Sequence, residues 1–251
     1  MDARTPQITT PYELNEQGQP IGLPLPGFTS AQTPESKDLL GQHGQLTPLI
    51  ASRHAAALFH ASQEDSDGRL WTYLPFGPFA DQNEFTHWLE GKVEQEGVIF
   101  FCISSPTHTP LGFFSFSRIQ PEAASIELAN VYFSPQLKHS TLATEAVYLM
   151  LNYAFELGYR RCEWKCNALN QASIQAALRF GFTFEGTFRN AAVVKGRSRD
   201  TAWFSICVEE WPALKQAFLT WLSPDNFNPG GLQKVRLSQL TAKALHEGTE
   251  G

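Results

Sequence analysis

The stretch Glu127-Leu-Ala-Asn130-Val131-Tyr-Phe133-Ser-Pro-Gln-Leu-Lys138-His139-Ser140-Thr141-Leu142-Ala143-Thr144-Glu145-Ala146 joins an apolar, strand-like run to a helix-periodic one through a short loop. Where a strand enters a helix whose first turn is small and polar, several main-chain N–H groups lack intrahelical acceptors and the positive end of the helix dipole lies behind them. Such a start can hold an anion such as a pyrophosphate, and the same residues also make an ordinary Ser/Thr-capped helix. A second start of this kind, Asn170-Gln-Ala-Ser173, follows the alternating run from Arg160 to Asn167, and Asn170 is of a type that caps helices.

Neither metal nor thiol chemistry is indicated. Cys102, Cys162, Cys166 and Cys207 sit in apolar runs. Cys162 and Cys166 would stand roughly 13 Å apart on one strand face, at ~3.3 Å per residue, too far for a disulfide or a shared metal. The seven histidines form no H-x-x-x-H pair or Cys/His cluster, so no metal site is expected. The net charge of −6 gives no basic footprint for nucleic acid. No stretch reaches the ~18 apolar residues of a membrane span, and Met1 to Pro11 lacks a basic segment followed by an apolar core. A cytoplasmic protein with reduced core thiols, and without nucleic-acid or membrane partners, is the expectation.

These candidate sites need elements to position them. Residues 1–38 hold six of the sixteen prolines and show no period, which predicts an extended arm. A strand is expected near Gln45 to Leu49, a helix from an N-cap at Ser52 to Ser62, and another from an N-cap at Asp81 with Phe85, Trp88, Leu89 and Val93 on one face. Val98–Ile103 and Leu111–Ser117 read as a strand hairpin, and Ser125–Phe133 as a third strand. A helix from Thr141 to Leu157 stops at Gly158, and a strand covers Arg160–Asn167. The helix opened by Asn170 ends at Gly181, and strands Phe182–Val194 and Arg199–Val208 are joined by the loop 195–198. Trp211–Leu222 closes the order with a helix, and Leu237–Leu245 is read as one short peripheral helix in a tail. The expected domain is thus 39–222, with 223–251 as that tail. Helices on a mixed sheet give an α/β layered fold.

Together, Ala143-Thr-Glu-Ala146, Asn170-x-x-Ser173, Gly181-Phe182 and Glu185-Gly186 resemble the GNAT acetyltransferases, and within them the RimJ/RimL-like branch of protein N-terminal acetyltransferases. The resemblance runs from about Phe76 to Pro212. It implies a mostly antiparallel central sheet with splayed central strands, flanked by helices, that binds acetyl-CoA and moves its acetyl group to a primary amine. By resemblance, Val131, Phe133, Lys138, His139, Ser140, Thr141, Leu142, Ala143 and Thr144 would line the CoA site, with Asn170 and Ser173 beside the pantetheine arm. Two positions depart from the pattern: Thr141 stands where the phosphate loop carries glycine, and Ala177 where many members carry a tyrosine acid.

The resemblance implies Glu127 as general base, acting through water, with Ser173 as proton donor to the leaving thiolate and the Val131 N–H polarising the carbonyl. Asn130 joins Glu127 on one face only if a bulge intervenes. Trp71, Tyr73, Phe76, Asn130, Arg189 and Trp203 would line the acceptor site. An α-amine with a pKa near ~8 is more often neutral at pH 7 than a lysine near ~10.4, which favours a protein or peptide N-terminus as acceptor. A small-molecule amine and a non-catalytic acyl-CoA-binding module are the other readings, and a homodimer is compatible with the sequence.

Overall fold

The computed structural model describes residues 10–65 and 67–247, in two compact units, Met1–Ser30 and Ala31–Gly251. The first nine residues of the expected arm and the last four of the expected tail lie outside the described residues. In the first unit Tyr12–Leu14 (β1) pairs antiparallel with Pro20–Gly22 (β2), where the sequence suggested only extended chain. Asn15 accounts for the difference: its Oδ1 accepts from the amides of Gln17 and Gln19, a local side-chain turn that leaves no periodic trace.

The second unit is built on eight strands, β3 (Leu39–Leu40), β4 (Gln45–Pro48), β5 (Ile99–Ser104), β6 (Pro110–Gln120), β7 (Ser125–Phe133), β8 (Arg161–Asn167), β9 (Thr183–Val194) and β10 (Arg197–Cys207). Their order is β3-β4-β5-β6-β7-β8-β10-β9, antiparallel throughout except for the central pair β7 and β8. The layered, mostly antiparallel arrangement inferred from sequence is the one observed.

Alternation along β5 and β6 divides the core into two layers. Phe101, Ile103, Phe114 and Phe116 face α3 (Thr141–Glu156) and α5 (Trp211–Leu222). Phe100, Cys102 and Phe113 face α1 (Ala51–Ser62) and α2 (Gln82–Val93). The second layer is aromatic: Trp71 stacks on Tyr132, with ring centroids 5.4 Å apart, and Phe76 packs on Trp88 and Phe113. Asp81 caps α2 through the Glu84 amide as its residue type implies. The start of α1 differs from expectation, since Ser52 lies inside the helix and Ile50 is the N-cap. There the buried His54 accepts the Ile50 N–H at Nδ1, and burial lowers its pKa, keeping the ring neutral for that task.

Helix α4 (Gln171–Arg179) ends at Gly181, whose φ of +89° and close approach to Leu214, where a Cβ would come within 2.5 Å of Cδ2, leave room only for glycine. Residues that read as tail form α6 (Leu237–Glu247), with Leu237 fully buried and Thr241 donating to the Arg179 carbonyl. At the other end Gln32 donates to the Leu157 carbonyl and Glu35 to the Tyr153 hydroxyl, so residues 31–38 are bound to the end of α3. The β9–β10 connection is tighter than the expected four residues. Lys195 and Gly196 both take positive φ, 49° and 71°, a twist-matched two-residue turn unusual for lysine and hence not legible in the sequence.

Glu145 in the first turns of α3 holds the β3–β4 loop: its two carboxylate oxygens accept the Gln42 and His43 amides at 2.7 Å each, and it is almost fully buried. Glu145→Ala leaves both N–H groups unpartnered and is expected to cost about 3 kcal/mol of unfolding free energy, measured by denaturant titration.

Candidate active site

Strands β7 and β8 pair for only three residues, Ser125–Glu127 against Arg161–Glu163, although β7 continues to Phe133 and β8 to Asn167. Beyond the last pair the two strands part, and the main-chain groups along the gap are released from the ladder. Glu127 stands at the point of divergence. Its carboxyl is 2% exposed and its Oε2 lies 2.8 Å from Lys165 Nζ and 3.8 Å from Arg118 Nε. Burial raises its pKa, against the opposing pull of Lys165 and Arg118; Glu163 adds to the rise. A carboxyl above its usual range is suited to accepting a proton near neutrality.

Two bulges set the side chains around it. On β7 the register slips between the pairs Ser115–Ala129 and Phe113–Tyr132, and Asn130 takes a φ of 52°. The extra residue turns Asn130 onto the Glu127 face, where its Nδ2 donates to Ser115 Oγ at 2.8 Å. On β6 a second slip, between Ser117 and Gln120, coincides with Arg118 at φ 47° and aims its guanidinium at Glu127 and Glu163. From Glu163 the charges continue outward, since Arg161 Nε donates to Glu163 Oε1 and its two terminal nitrogens grip Glu185, whose pKa falls as a result. Neither Arg118 nor Lys165 stood out in the sequence. Lys165 was visible as one of the polar positions of β8, whereas the bulge that turns Arg118 depends on backbone φ.

The helix start after β7 leaves main-chain N–H groups open. Ser140 caps α3, its Oγ accepting the Ala143 amide at 3.0 Å and donating to the Leu137 carbonyl. The N–H groups of His139, Thr141 and Leu142 take no acceptor among the described residues, while that of Ala143 is occupied by the cap. Lys138 and His139 are exposed, and Thr144 Oγ1 accepts from Arg179 Nη2 at 3.1 Å. Val131 and Phe133 pack on the α3 side of the sheet.

Asn170 caps α4 by accepting the Ser173 amide at 3.1 Å. Ser173 Oγ accepts the Trp164 indole N–H at 3.1 Å. Trp164 and Cys166 alternate with Glu163 and Lys165 along β8, so Ser173 and Glu127 belong to opposite faces of the sheet with the β7–β8 gap between them. Ala177 is fully buried, and a tyrosine there would have to enter the core.

On the Glu127 face Trp203 lies beside the charged cluster, its ring 5.2 Å from Lys165 Nζ and 5.4 Å from the Arg118 guanidinium carbon. Trp203, Phe188, Arg118, Arg161, Glu163, Glu185 and Gly186 line a cavity of about 300 Å³. A second, more open cavity of about 680 Å³ adjoins it at Phe188 and includes Arg189. Trp71 and Phe76 are buried in the aromatic layer and Tyr73 is half-buried near them in sequence. The loop they share is tied to the β9–β10 hairpin by Lys195 Nζ, which donates to the Trp71 carbonyl at 2.8 Å.

These features coincide with relationships to known proteins. Residues 45–183 match the acetyltransferase (GNAT) domain family, and the chain belongs to that family. A GCN5-related N-acetyltransferase from Brucella melitensis is 41% identical over 87% of this chain and all of its own, with a TM-score of 0.84. A GNAT-family protein from Chromobacterium violaceum ATCC 12472 is 44% identical over 78% of this chain and 98% of its own, with a TM-score of 0.73. RimL, a ribosomal-protein alpha-N acetyltransferase solved with coenzyme A, shares the fold at 20% identity over 68% of this chain and 98% of its own, with a TM-score of 0.58. No curated protein sequence matches. The chain is therefore an acetyltransferase enzyme that draws its acetyl group from acetyl-CoA. No metal cluster occurs among the described residues, and no helix among them is long and apolar enough to cross a membrane.

Removing the Ser140 cap frays the turn that presents the free amides. Ser140→Ala is expected to lower stability by about 1 kcal/mol in denaturant titration and to weaken CoA binding several-fold in calorimetry, with the fold retained by circular dichroism.

Proposed function

We propose that the acceptor is the α-amine of a protein or peptide N-terminus and that Glu127 is the general base. The observation that carries this reading is the buried Glu127 carboxylate at the parting of β7 and β8, paired with Arg118, which with Trp203 and Phe188 lines the neighbouring cavity. The cavity beside Trp203 shares Phe188 with an open hollow along β9 from Phe188 to Ala191, which leaves room for an acceptor longer than a compact amine. An α-amine also asks less of the base, because an appreciable fraction is already neutral at pH 7. The fold-level likeness to a ribosomal-protein acetyltransferase is compatible with this acceptor.

Each residue then has a role. The free amides of His139, Thr141 and Leu142 would hold the pyrophosphate of CoA, and Lys138 adds a positive charge beside them. Asn170 fixes the α4 start, and the Ser173 hydroxyl, which takes the Trp164 N–H at its oxygen, keeps its own proton to give to the leaving sulfur. The Val131 N–H, on the stretch of β7 beyond the ladder, would donate to the acyl oxygen. Asn130, Arg189 and Trp203 line the acceptor's approach, and Glu127 takes the amine proton through water. Acetyl-CoA supplies an activated acyl group whose thiolate leaves readily.

Glu127→Gln is expected to lower kcat/KM by about 100-fold or more with CoA affinity unchanged. In the wild type, activity falls with protonation of the acceptor amine near ~8 and again as pH drops through the Glu127 pKa, which lies above the ordinary carboxylate value; this Glu127 limb is expected to vanish in the Gln variant while the amine limb remains. Initial rates of thiol release across pH, with peptide and small-amine panels, measure both. Turnover confined to small amines, or a Glu127 limb unchanged in Glu127→Gln, would contradict the corresponding half of the proposal.

A further inference from the structure

Lys165 is two residues past the last position at which β8 pairs with β7, yet its ammonium returns across the gap to within 2.8 Å of Glu127 Oε2, an oxygen buried from solvent. The alternatives open to that carboxylate are poor. Arg118 on β6 is 3.8 Å away and is nearer to Glu163, at 3.5 Å. Glu163 on β8 carries the same charge as Glu127 and takes a hydrogen bond from Arg161, and β10 presents the neutral Trp203 and Ser205 side chains. Ser115 and Ser117 on β6 face the Asn130 amide. Of the two cations paired with Glu127, Lys165 is thus the nearer by 1 Å, at 2.8 Å against 3.8 Å for Arg118, and the Trp203 face confines its chain.

From this geometry we infer that Lys165 is a positioning residue: held against Trp203, its ammonium keeps the Glu127 carboxylate charged and fixed across the mouth of the β7–β8 gap. The inference rests on Glu127 being the base. A buried carboxylate without a partner either takes up a proton or swings toward solvent, and both remove it from the reaction. Lys165 does not touch the reacting atoms; it acts through Glu127. The position needs a permanent cation of this length, so arginine serves and methionine or glutamine does not.

The test compares wild type, Lys165→Met, Lys165→Gln and Lys165→Arg in two measurements on the full chain. The first is a carboxyl-carbon NMR titration, with the Glu127 signal assigned by its loss in Glu127→Gln. Its midpoint is expected to rise by about one pH unit or more in the Met and Gln variants and to stay near the wild-type value in the Arg variant. The second is the Glu127 limb of kcat/KM for thiol release from acetyl-CoA with the best acceptor of the panel, which is expected to move upward by the same amount, with near-normal rates recovered above the new midpoint. If the Met variant does not fold, the isopolar Gln variant carries the same expectation. A Glu127 midpoint that stays put in the neutral variants overturns the role of Lys165 while leaving the base reading intact. A midpoint that moves while the Glu127 limb does not, or a Glu127 limb that persists in Glu127→Gln below that of the acceptor amine, overturns the base reading and the inference built upon it.

Discussion

The rest of the structure depends on a constraint in the middle of the sheet: β7 and β8 are parallel neighbours, and they remain paired for three residues only. A parallel pair needs a long crossover, which α3 supplies, and that helix begins where β7 ends. Because the strands separate toward that end, the helix start, the unladdered backbone and the Glu127 carboxylate converge on one opening. Were the ladder continued to Phe133 and Asn167, backbone partners would fill the space that an acyl donor needs.

The surrounding elements keep that opening in place. The aromatic layer under α1 and α2 covers β4 to β6 and, through Tyr132, the far end of β7, and the charged cluster lies on the same face over Glu127, β8 and β10. On the other face α3 and α5 pack the sheet, and α4 holds Ser173 against Trp164. Glu127 and Ser173, the proposed proton acceptor and donor, therefore approach the gap from opposite sides. Acyl transfer calls for this arrangement, since the amine enters from one direction and the thiolate leaves in another.

Electrostatics at the opening are a balance rather than a single strong pair. Burial disfavours the Glu127 charge, Glu163 disfavours it further, and Lys165 and Arg118 oppose both. The outcome is a carboxyl above its ordinary pKa that still has cations at hand. Farther out, Arg161 between Glu163 and Glu185 ties β8 to the edge strand β9, and so fixes the wall on which Phe188 stands.

Much of this was written locally in the chain. The Asp81 and Asn170 caps, the stop at Gly181, the strict alternation of β8 and the small polar start of α3 each follow from the stereochemistry of a few adjacent residues, so the sequence alone set the order of the helices and of the strands from Gln45 onward and marked the two helix starts. The resemblance carried by Ala143-Thr-Glu-Ala146 and Asn170-x-x-Ser173 named the family for the same reason: those residues act through their own backbone turn. Other features came only with the tertiary structure. The bulges at Asn130 and Arg118 are slips of register against β6, the seating of Ala31 and Leu237 in the core joins distant segments, and the Lys165–Glu127 pair spans two strands thirty-eight positions apart in number. Register, packing and long-range ion pairs depend on what lies opposite a residue rather than beside it. For that reason the sequence determined which side chains could do acyl-transfer chemistry, and the fold decided which of them meet at the parting of β7 and β8.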